Sequence, residues 1–244
     1  MKTIKVIDAK MGDGKAQRYS DLVMTEFGYK TIEELLIGDR IYGEDGNLHD
    51  LIYKIPQGKK SVYEVTFSDN TKAYCCKDHL WNHQTQKDKA KGIFRTSTLE
   101  DIMSMDLYKT TNRGDRNWQI FIPITNPIIM SEKDLRIDPY FLGLLLGDGC
   151  MSSKASSIML SCSEHDILSH IKINELDIGM RLKEEGRWDY ILYKKNKGFD
   201  KLKLALKELG VYGCLSYDKF IPDEYLYSSV NQRLDLLSGL IDTD

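Results

Sequence analysis

Two apolar segments that each end in an aspartate are the parts of this 244-residue sequence best suited to chemistry. Residues 141–149 and 237–244 both place small residues among large aliphatic ones and carry an aspartate, Asp148 or Asp244, at the eighth position. Small residues let two helix backbones approach closely. Because the helix dipole disfavours an anion at a C-terminus by about 0.3–1 kcal/mol, the pattern predicts a compensating cation. Two carboxylates brought together form an oxygen-rich site of the kind that binds Mg²⁺.

The paired motifs resemble those of the LAGLIDADG homing endonucleases. The resemblance implies that the two helices form the interface between two α/β halves. It also implies that Asp148 and Asp244 hold divalent cations, which activate water and stabilise the leaving oxygen during cleavage of double-stranded DNA. The aspartates are 96 positions apart, which leaves room for one small α/β half. For either motif alone a core helix with a glycine-bearing cap is the alternative, and the presence of both in the expected order favours the nuclease.

Basic residues close to two predicted strands are candidates for contacts with DNA phosphates. The strands are predicted at 157–161 and 190–193, and in the resembled family such strands form a saddle on the duplex. Lysine and arginine neutralise backbone phosphates without reading sequence. The candidates are Lys194, Lys195, Lys197 and Arg187. For each of them a solvated surface position is the alternative.

Two stretches of the first half resemble sequence blocks of inteins, whose splicing domain has the β-rich Hint fold. They are residues 22–46 and 63–81. In the second block a Thr-x-x-His pair normally polarises and then protonates the scissile peptide bond. His79 matches the histidine, whereas Cys76, whose thiol is a weaker hydrogen-bond donor, stands in place of the threonine.

A zinc site is the alternative for this segment. Cys75, Cys76, His79 and His83 offer four potential ligands within nine residues. Adjacent cysteines in a strand point to opposite faces, however, and no second Cys-x-x-Cys pair occurs in the sequence. The splicing interpretation is therefore preferred.

The first residues resemble an interrupted phosphate-binding loop. A Walker A motif reads Gly-x-x-x-x-Gly-Lys-Ser/Thr, and here Ala9, Gly14 and Lys15 are followed by Ala16 where the hydroxyl residue belongs. An insertion that begins at Ala16 would explain the missing hydroxyl. Residues 1–15 are then the remnant of a host P-loop ATPase, such as a phage helicase or terminase. A degenerate glycine turn is the alternative.

Ala16 has a mechanistic consequence, because alanine has no side chain that could attack the preceding carbonyl in the first splicing step. Either another residue attacks the Lys15–Ala16 bond, or the position was mutated to block splicing. Inteins of a non-standard class pair such a residue with a tryptophan two positions after the block histidine. Trp81 occupies that position, while the attacking cysteine of that class lies in a late block that residues 1–244 do not contain.

The first of two regions that must position these residues is rich in strands. Residues 16–130 contain short strands separated by turns, as in an all-β module. A short helix is predicted at 32–36, and the periodicity becomes helical from Ser97. Prolines at 123 and 127 indicate a connection to the second region.

The second region, residues 131–244, is predicted to be an α/β half with the two apolar helices. Asp138 before a proline is an N-cap signal for the first helix. Ser229 and Gln232 form a capping box before the second. Together the two regions indicate an α+β fold.

Composition excludes several classes of protein. The net charge of −3 gives no global nucleic-acid signature, so DNA binding must rest on a local basic surface. Five cysteines, an odd number, argue for reduced thiols. No run approaches the ~20 apolar residues of a membrane span and no secretion signal precedes the first strand, so we predict a cytoplasmic protein without a membrane partner.

The sequence is expected to be a piece of a longer gene product. It stops before the glycine that would close the second motif, so the second endonuclease half, the C-terminal intein half and the C-extein are expected as missing partners. We expect no splicing and weak DNA cleavage by the chain alone. Two other functions are considered: a P-loop ATPase, for which no convincing Walker B strand is found, and a DNA-binding module without catalysis, which would be indifferent to Asp148→Ala.

Overall fold

The computed structural model describes the backbone of residues 5–10 and, with side chains, residues 17–56, 58–153, 157–171, 176–185, 187–197 and 200–243. Contacts divide the chain into two compact units, Met1–Ile128 and Ile129–Asp244. Within the described residues no helix is long and apolar enough to cross a lipid bilayer. The fold is mixed α and β, as predicted.

The first unit is built from short antiparallel strands. In chain order they are β1 (Lys5–Lys10), β2 (Leu22–Thr25), β3 (Gly28–Thr31), β4 (Arg40–Tyr42), β5 (Leu48–Asp50), β6 (Lys59–Thr66), β7 (Lys72–Cys75), β8 (Leu80–Thr85), β9 (Arg95–Thr98), β10 (Tyr108–Thr110), β11 (Arg116–Trp118) and β12 (Ile120–Phe121). They pair in the orders β3-β2-β4-β5, β1-β6-β7, β12-β8-β9 and β10-β11. Alternating polar and apolar residues with frequent turn signals give such small sheets.

Two helices interrupt these strands, α1 (Gln86–Lys89) and α2 (Leu99–Ser104). The helix predicted at 32–36 is wrong: residues 32–34 form a turn, in which the Glu34 carboxylate accepts from the Thr31 amide at 2.9 Å. The helical periodicity predicted from Ser97 is also only partly correct. It ends at Ser104, and three strands, β10 to β12, follow.

The second unit packs helices on one face of a four-stranded antiparallel sheet. Its elements are α3 (Pro139–Asp148), β13 (Gly149–Cys150), β14 (Ile158–Ser161), α4 (His165–His170), β15 (Ile178–Leu182), β16 (Asp189–Lys194), α5 (Lys201–Glu208), a 3-10 turn (Ser216–Asp218), α6 (Asp223–Leu226) and α7 (Val230–Ile241). The sheet order is β13-β14-β16-β15.

The two apolar helices begin where their capping residues predict. The Asp138 side chain accepts from the Phe141 amide at 3.2 Å, with proline at the first helical position of α3. At α7 the Ser229 hydroxyl accepts from the Gln232 amide while the Gln232 side chain accepts from the Ser229 amide. Each cap satisfies backbone donors that have no partner inside the helix.

The core of the second unit surrounds α3. The side chains of Phe141, Leu142 and Leu145 are completely buried. The Tyr225 hydroxyl bonds both backbone groups of Ile137, donating to its carbonyl at 2.8 Å and accepting from its amide at 3.2 Å. This pairing holds the start of α3 against α6, so the position of α3 is fixed at its N-terminal end.

Candidate functional site

The helices α3 and α7 pack against each other through glycine. A Cβ atom added to Gly143 would overlap the carbonyl oxygen of Leu236 and lie 2.9 Å from the Cα atom of Gly239. A Cβ atom added to Gly239 would overlap the carbonyl oxygen of Tyr140 and lie 3.1 Å from the Cα atom of Gly143. The backbones therefore touch directly. The prediction that the two segments form closely packed helices is confirmed for residues 141–148 and 237–241, whereas residues 242 and 243 form a turn beyond α7.

These contacts are reciprocal. Gly143 contacts Gly239 and the carbonyl of Leu236, which lies three residues before Gly239. Gly239 in turn contacts Gly143 and the carbonyl of Tyr140, which lies three residues before Gly143. Such reciprocity is the property of a two-fold axis, here relating positions 96 residues apart in the same chain. Further along, a Cβ atom on Gly147 would overlap the Thr243 hydroxyl and lie 2.7 Å from its Cβ atom. Gly147 of α3 therefore contacts the turn that follows α7, one residue before Asp148.

Asp148 is the last residue of α3, as predicted, and its side chain is exposed. It lines a cavity of about 280 Å³ together with Cys150, Ser152, Cys214 and Lys219. A carboxylate at this position fits the hard-oxygen preference of Mg²⁺. Its predicted partner, Asp244, lies outside the described residues. Among the described residues there is no group of three or more His, Cys, Asp or Glu side chains that could hold a metal ion.

Lys219 is the main residue of this site that the sequence did not predict. Its ammonium group donates to the carbonyl oxygens of Leu145, Leu146, Gly147 and Gly149, at 3.1, 2.9, 3.1 and 2.7 Å. Burial lowers the pKa of Lys219, and the negative charge of Asp148 opposes this shift.

The contacts of Lys219 partly offset the unfavourable position of the Asp148 carboxylate at a helix C-terminus. The C-terminal carbonyls of a helix lack partners within the helix, and their partial negative charge disfavours a nearby carboxylate. The lysine supplies both donors and positive charge. It lies just after the 3-10 turn, in a segment without periodicity, so no local pattern pointed to it.

One hydrogen bond across the helix pair has no two-fold counterpart. The Tyr140 hydroxyl on α3 donates to the Asp242 carboxylate at the C-cap of α7, at 2.7 Å. Burial raises the pKa of Tyr140, and so does Asp242. The positions related by the 96-residue offset are Leu236 and Leu146, which cannot form such a bond.

The sheet of the second unit has a covered and an open face. Ile158, Leu160, Tyr190 and Leu192 are buried on one face, against the helices. The alternate residues of the same strands form the open face. Strand register places Met159, Ile191 and Arg181 side by side there, and Tyr193 lies across Gly179 in the neighbouring pair.

The structure places the predicted phosphate contacts on different parts of the second unit. Lys194 is exposed at the end of β16; because it pairs with the buried Ile178, its side chain lies on the side of the sheet that the helices cover, where it lines a cavity of about 210 Å³ with Asp200 and Lys203. Lys195 and Lys197 are exposed beyond the end of β16, and Arg187 is exposed in the β15–β16 loop, 3.6 Å from Glu184. The open face instead carries Arg181, which the two-residue alternation of β15 would have identified.

In the first unit, Cys76 and His79 lie in the turn between β7 and β8, and Trp81 lies near the start of β8. The His79 amide donates to the Cys76 carbonyl at 3.2 Å, which closes the turn between the two strands. The imidazole of His79 packs edge-on against the indole of Trp81, with ring centroids 5.5 Å apart. Cys76 itself is buried, in contact with Val62 and Tyr74.

The preceding cysteine also belongs to this cluster. Cys75 is 1% exposed, and burial raises the pKa of its thiol to about 11 although the Trp81 indole opposes the shift. His83 is fully buried, with its Nδ1 atom 3.4 Å from the Trp81 carbonyl. Cys75, Cys76, His79 and His83 form no group that could hold a metal ion, so the zinc alternative receives no support.

The segment that follows Ala16 is anchored to β7, a contact the sequence did not predict. Ala16 itself lies outside the described residues. The guanidinium group of Arg18 lies 3.4 Å from the ring centroid of Tyr74 and donates to Asp21 at 2.8 Å. The Tyr74 hydroxyl in turn donates to the buried Glu64 carboxylate at 2.9 Å.

The comparisons with known proteins give one distant relative. No family model matches the chain. Over 253 aligned positions it is 26% identical to a protein named replicative DNA helicase DnaB from Mycobacterium intracellulare. The alignment includes 98% of this chain but 39% of that protein, so the chain spans well under half of the relative's length.

Proposed function

We propose that the chain is part of an intein-containing replicative helicase. In this proposal residues 1–15 belong to the helicase host, residues 16–130 to the Hint splicing region, and residues 131–244 to a LAGLIDADG homing endonuclease. The observation that carries the nuclease assignment is the reciprocal glycine packing of α3 and α7, which ends beside Asp148. The distant similarity to a protein named as a DnaB helicase supports a helicase as the host.

The proposed nuclease site combines the C-terminal end of α3 with the residues that follow α7. Extending the two-fold relation by one residue relates Asp148 to Asp244, which together would hold Mg²⁺. The metal would supply Lewis-acid stabilisation and an activated water for phosphodiester hydrolysis. The two carboxylates would bind the metal ion and orient it. The Lys219 ammonium reduces the repulsion between this acidic site and a DNA phosphate, because it adds positive charge to the wall of the same cavity.

The proposed DNA partner lies along the open face of the sheet. Arg181 carries positive charge there, whereas Lys194 lies on the covered side. Arg181→Ala is expected to weaken duplex binding by about 1–3 kcal/mol, and Lys194→Ala, which removes the same charge, much less. This prediction is tested by titrating a DNA duplex with each variant at two salt concentrations. Equal losses of duplex affinity in the two variants would contradict the assignment of the open face as the DNA-binding surface.

The proposed splicing chemistry uses the turn between β7 and β8. His79 would protonate the departing nitrogen of the Lys15–Ala16 bond, with Trp81 packed against its ring. Because Cys76 is a weak donor and Ala16 has no nucleophile, the attacking group must come from the C-terminal intein half, the expected partner.

A second candidate, a helicase fragment without an intein, is favoured by the same sequence match. The described strands speak against it, because every pairing among them is antiparallel. P-loop nucleotide-binding folds are built on parallel sheets with helices on both faces. Equilibrium binding of Mg·ATP by the 244-residue chain discriminates the two: the intein proposal predicts none, and saturable binding would favour the helicase.

The decisive test of the nuclease proposal uses the complete reading frame that encodes this chain. Its product is incubated with Mg²⁺ and a duplex that carries the uninterrupted host sequence. Wild type should cleave the duplex, and Asp148→Asn should bind it without cleaving. Asp235→Asn is the matched control, since it removes an exposed aspartate of α7 that lies outside the cavity. Unchanged cleavage by Asp148→Asn would refute the assignment.

A further inference from the structure

Two thiols line the cavity beside Asp148, although nothing in the proposed nuclease chemistry uses a thiol. They belong to Cys150 on β13 and Cys214, both free and half-buried. The remaining cysteines differ in their surroundings. Cys75 and Cys76 are 1% and 3% exposed, and the Cys162 thiol contacts the Glu164 carbonyl away from this cavity.

The backbone brings Cys150 and Cys214 close to each other. The Gly213 amide donates to the Met151 carbonyl at 2.8 Å; Cys150 immediately precedes Met151 and Cys214 immediately follows Gly213, so the two cysteines flank this bond. At such a bond two segments lie about 5 Å apart, and a disulfide spans Cα separations of about 4.4–6.8 Å. The Cys214 thiol now contacts the Gly210 carbonyl at 3.5 Å, a weak interaction that rotation of its side chain would break.

Lys219 belongs to the wall of the cavity that the two thiols, of Cys150 and Cys214, line. Since the cavity is open enough for Asp148 to be exposed, a small reagent can reach this group from solvent.

We propose that Cys150 and Cys214 are a modification site that reacts with small-molecule disulfides to form an intramolecular disulfide beside Asp148. One thiol attacks the reagent, releases one small thiol and forms a mixed disulfide. The second protein thiol attacks that sulfur and releases the other small thiol. Two protein thiols are oxidised and one small disulfide is reduced to two thiols, so electrons and protons balance.

The test counts thiols in the 244-residue chain and does not depend on DNA cleavage. Treatment of the folded chain with oxidised glutathione, followed by denaturation, should reduce the number of titratable thiols from five to three. Peptide mapping should find Cys150 joined to Cys214. Cys150→Ser should give only a glutathione adduct at Cys214, and Cys162→Ser, the matched control, should still lose two thiols.

Three outcomes would overturn the proposal. They are retention of all five thiols, a disulfide that involves another pair, and stable glutathione adducts on both cysteines without a link between them. Failure of the nuclease assignment would leave the thiol count unaffected. In the proposed nuclease, the disulfide would also reduce Mg²⁺-dependent cleavage, reversibly on addition of dithiothreitol, and Cys150→Ser would abolish this reversible loss.

Discussion

Gly143→Ala tests whether the helix pair is as tight as the glycine contacts indicate. An alanine in the middle of a helix is usually better than glycine by about 0.5–1 kcal/mol. Here the new methyl group would overlap the Leu236 carbonyl oxygen and lie 2.9 and 3.0 Å from the Cα and carbonyl carbon of Gly239. All three obstacles are backbone atoms, so no side-chain rotation relieves the overlap and the two helices must separate.

The sign of the change in the free energy of unfolding therefore distinguishes direct backbone packing of α3 against α7 from ordinary packing that leaves space between them. Overpacking in a well-packed interior costs about 1–3 kcal/mol, and separation of the helices also loses dispersion contacts along the interface. Because the clash exceeds the gain in helix propensity, we expect net destabilisation of about 1–2 kcal/mol. If α3 and α7 were ordinary neighbours with space between them, the substitution would instead stabilise the protein.

The assay is urea denaturation read by hydrogen exchange of the α3 and α7 amides, which isolates the second unit from the first. Gly239→Ala should act in the same direction, since its methyl group would meet the Tyr140 carbonyl. Ser238→Ala is the matched control: the residue precedes Gly239 in α7 but is exposed, so a change within about 0.5 kcal/mol is expected. Stabilisation by Gly143→Ala would refute the close packing on which the nuclease proposal depends.

Three other substitutions test separate contacts. Lys219→Met should destabilise the second unit by about 1–3 kcal/mol in urea denaturation, because partly buried carbonyls at the end of α3 lose their donor; an unchanged midpoint would show that water replaces the ammonium. Tyr140→Phe should cost about 0.5–1.5 kcal/mol by the same method through loss of the bond to Asp242, and a neutral result would contradict that contact. The hydrogen bonds of Arg95 hold the pKa of Asp88 well below its usual range, so this pair stabilises the first unit above about pH 4 and the contribution is lost as the pH falls. Thermal unfolding of Asp88→Asn should accordingly depend less on pH than that of wild type between about pH 5 and 2, and parallel curves would refute the assignment.

The sequence predicted those elements whose signals are local. The start of α3 follows from Asp138 and the proline after it, and the start of α7 from the capping box of Ser229. Strand β7 follows from its composition. The turn at 32–34 was mistaken for a helix because its apolar residues have helical spacing, while the hydrogen bonds of Glu34 to Thr31 close only a single turn.

Long-range contacts limited what could be predicted of the site. Lys219 reaches carbonyls 70 to 74 positions earlier in the chain, and no short-range pattern encodes that approach. The contact between Arg18 and Tyr74 could not be predicted for the same reason, since the two residues are far apart in the sequence. The position of Lys194 is a different case, because strand alternation fixes which side of a sheet a residue occupies once its register is known. Charge alone did not distinguish Lys194 from Arg181.

In the proposed nuclease, Asp148 at the end of α3 and Asp244 beyond α7 would hold a common divalent cation. Binding of Mn²⁺, followed by electron paramagnetic resonance, tests this claim in the 244-residue chain, in Asp148→Ala, in Asp244→Ala and in the double variant. A shared site predicts that either single substitution removes the same bound ion and that the double variant loses nothing more. Additive losses from two independent ions, or Mn²⁺ binding that neither substitution alters, would contradict the claim.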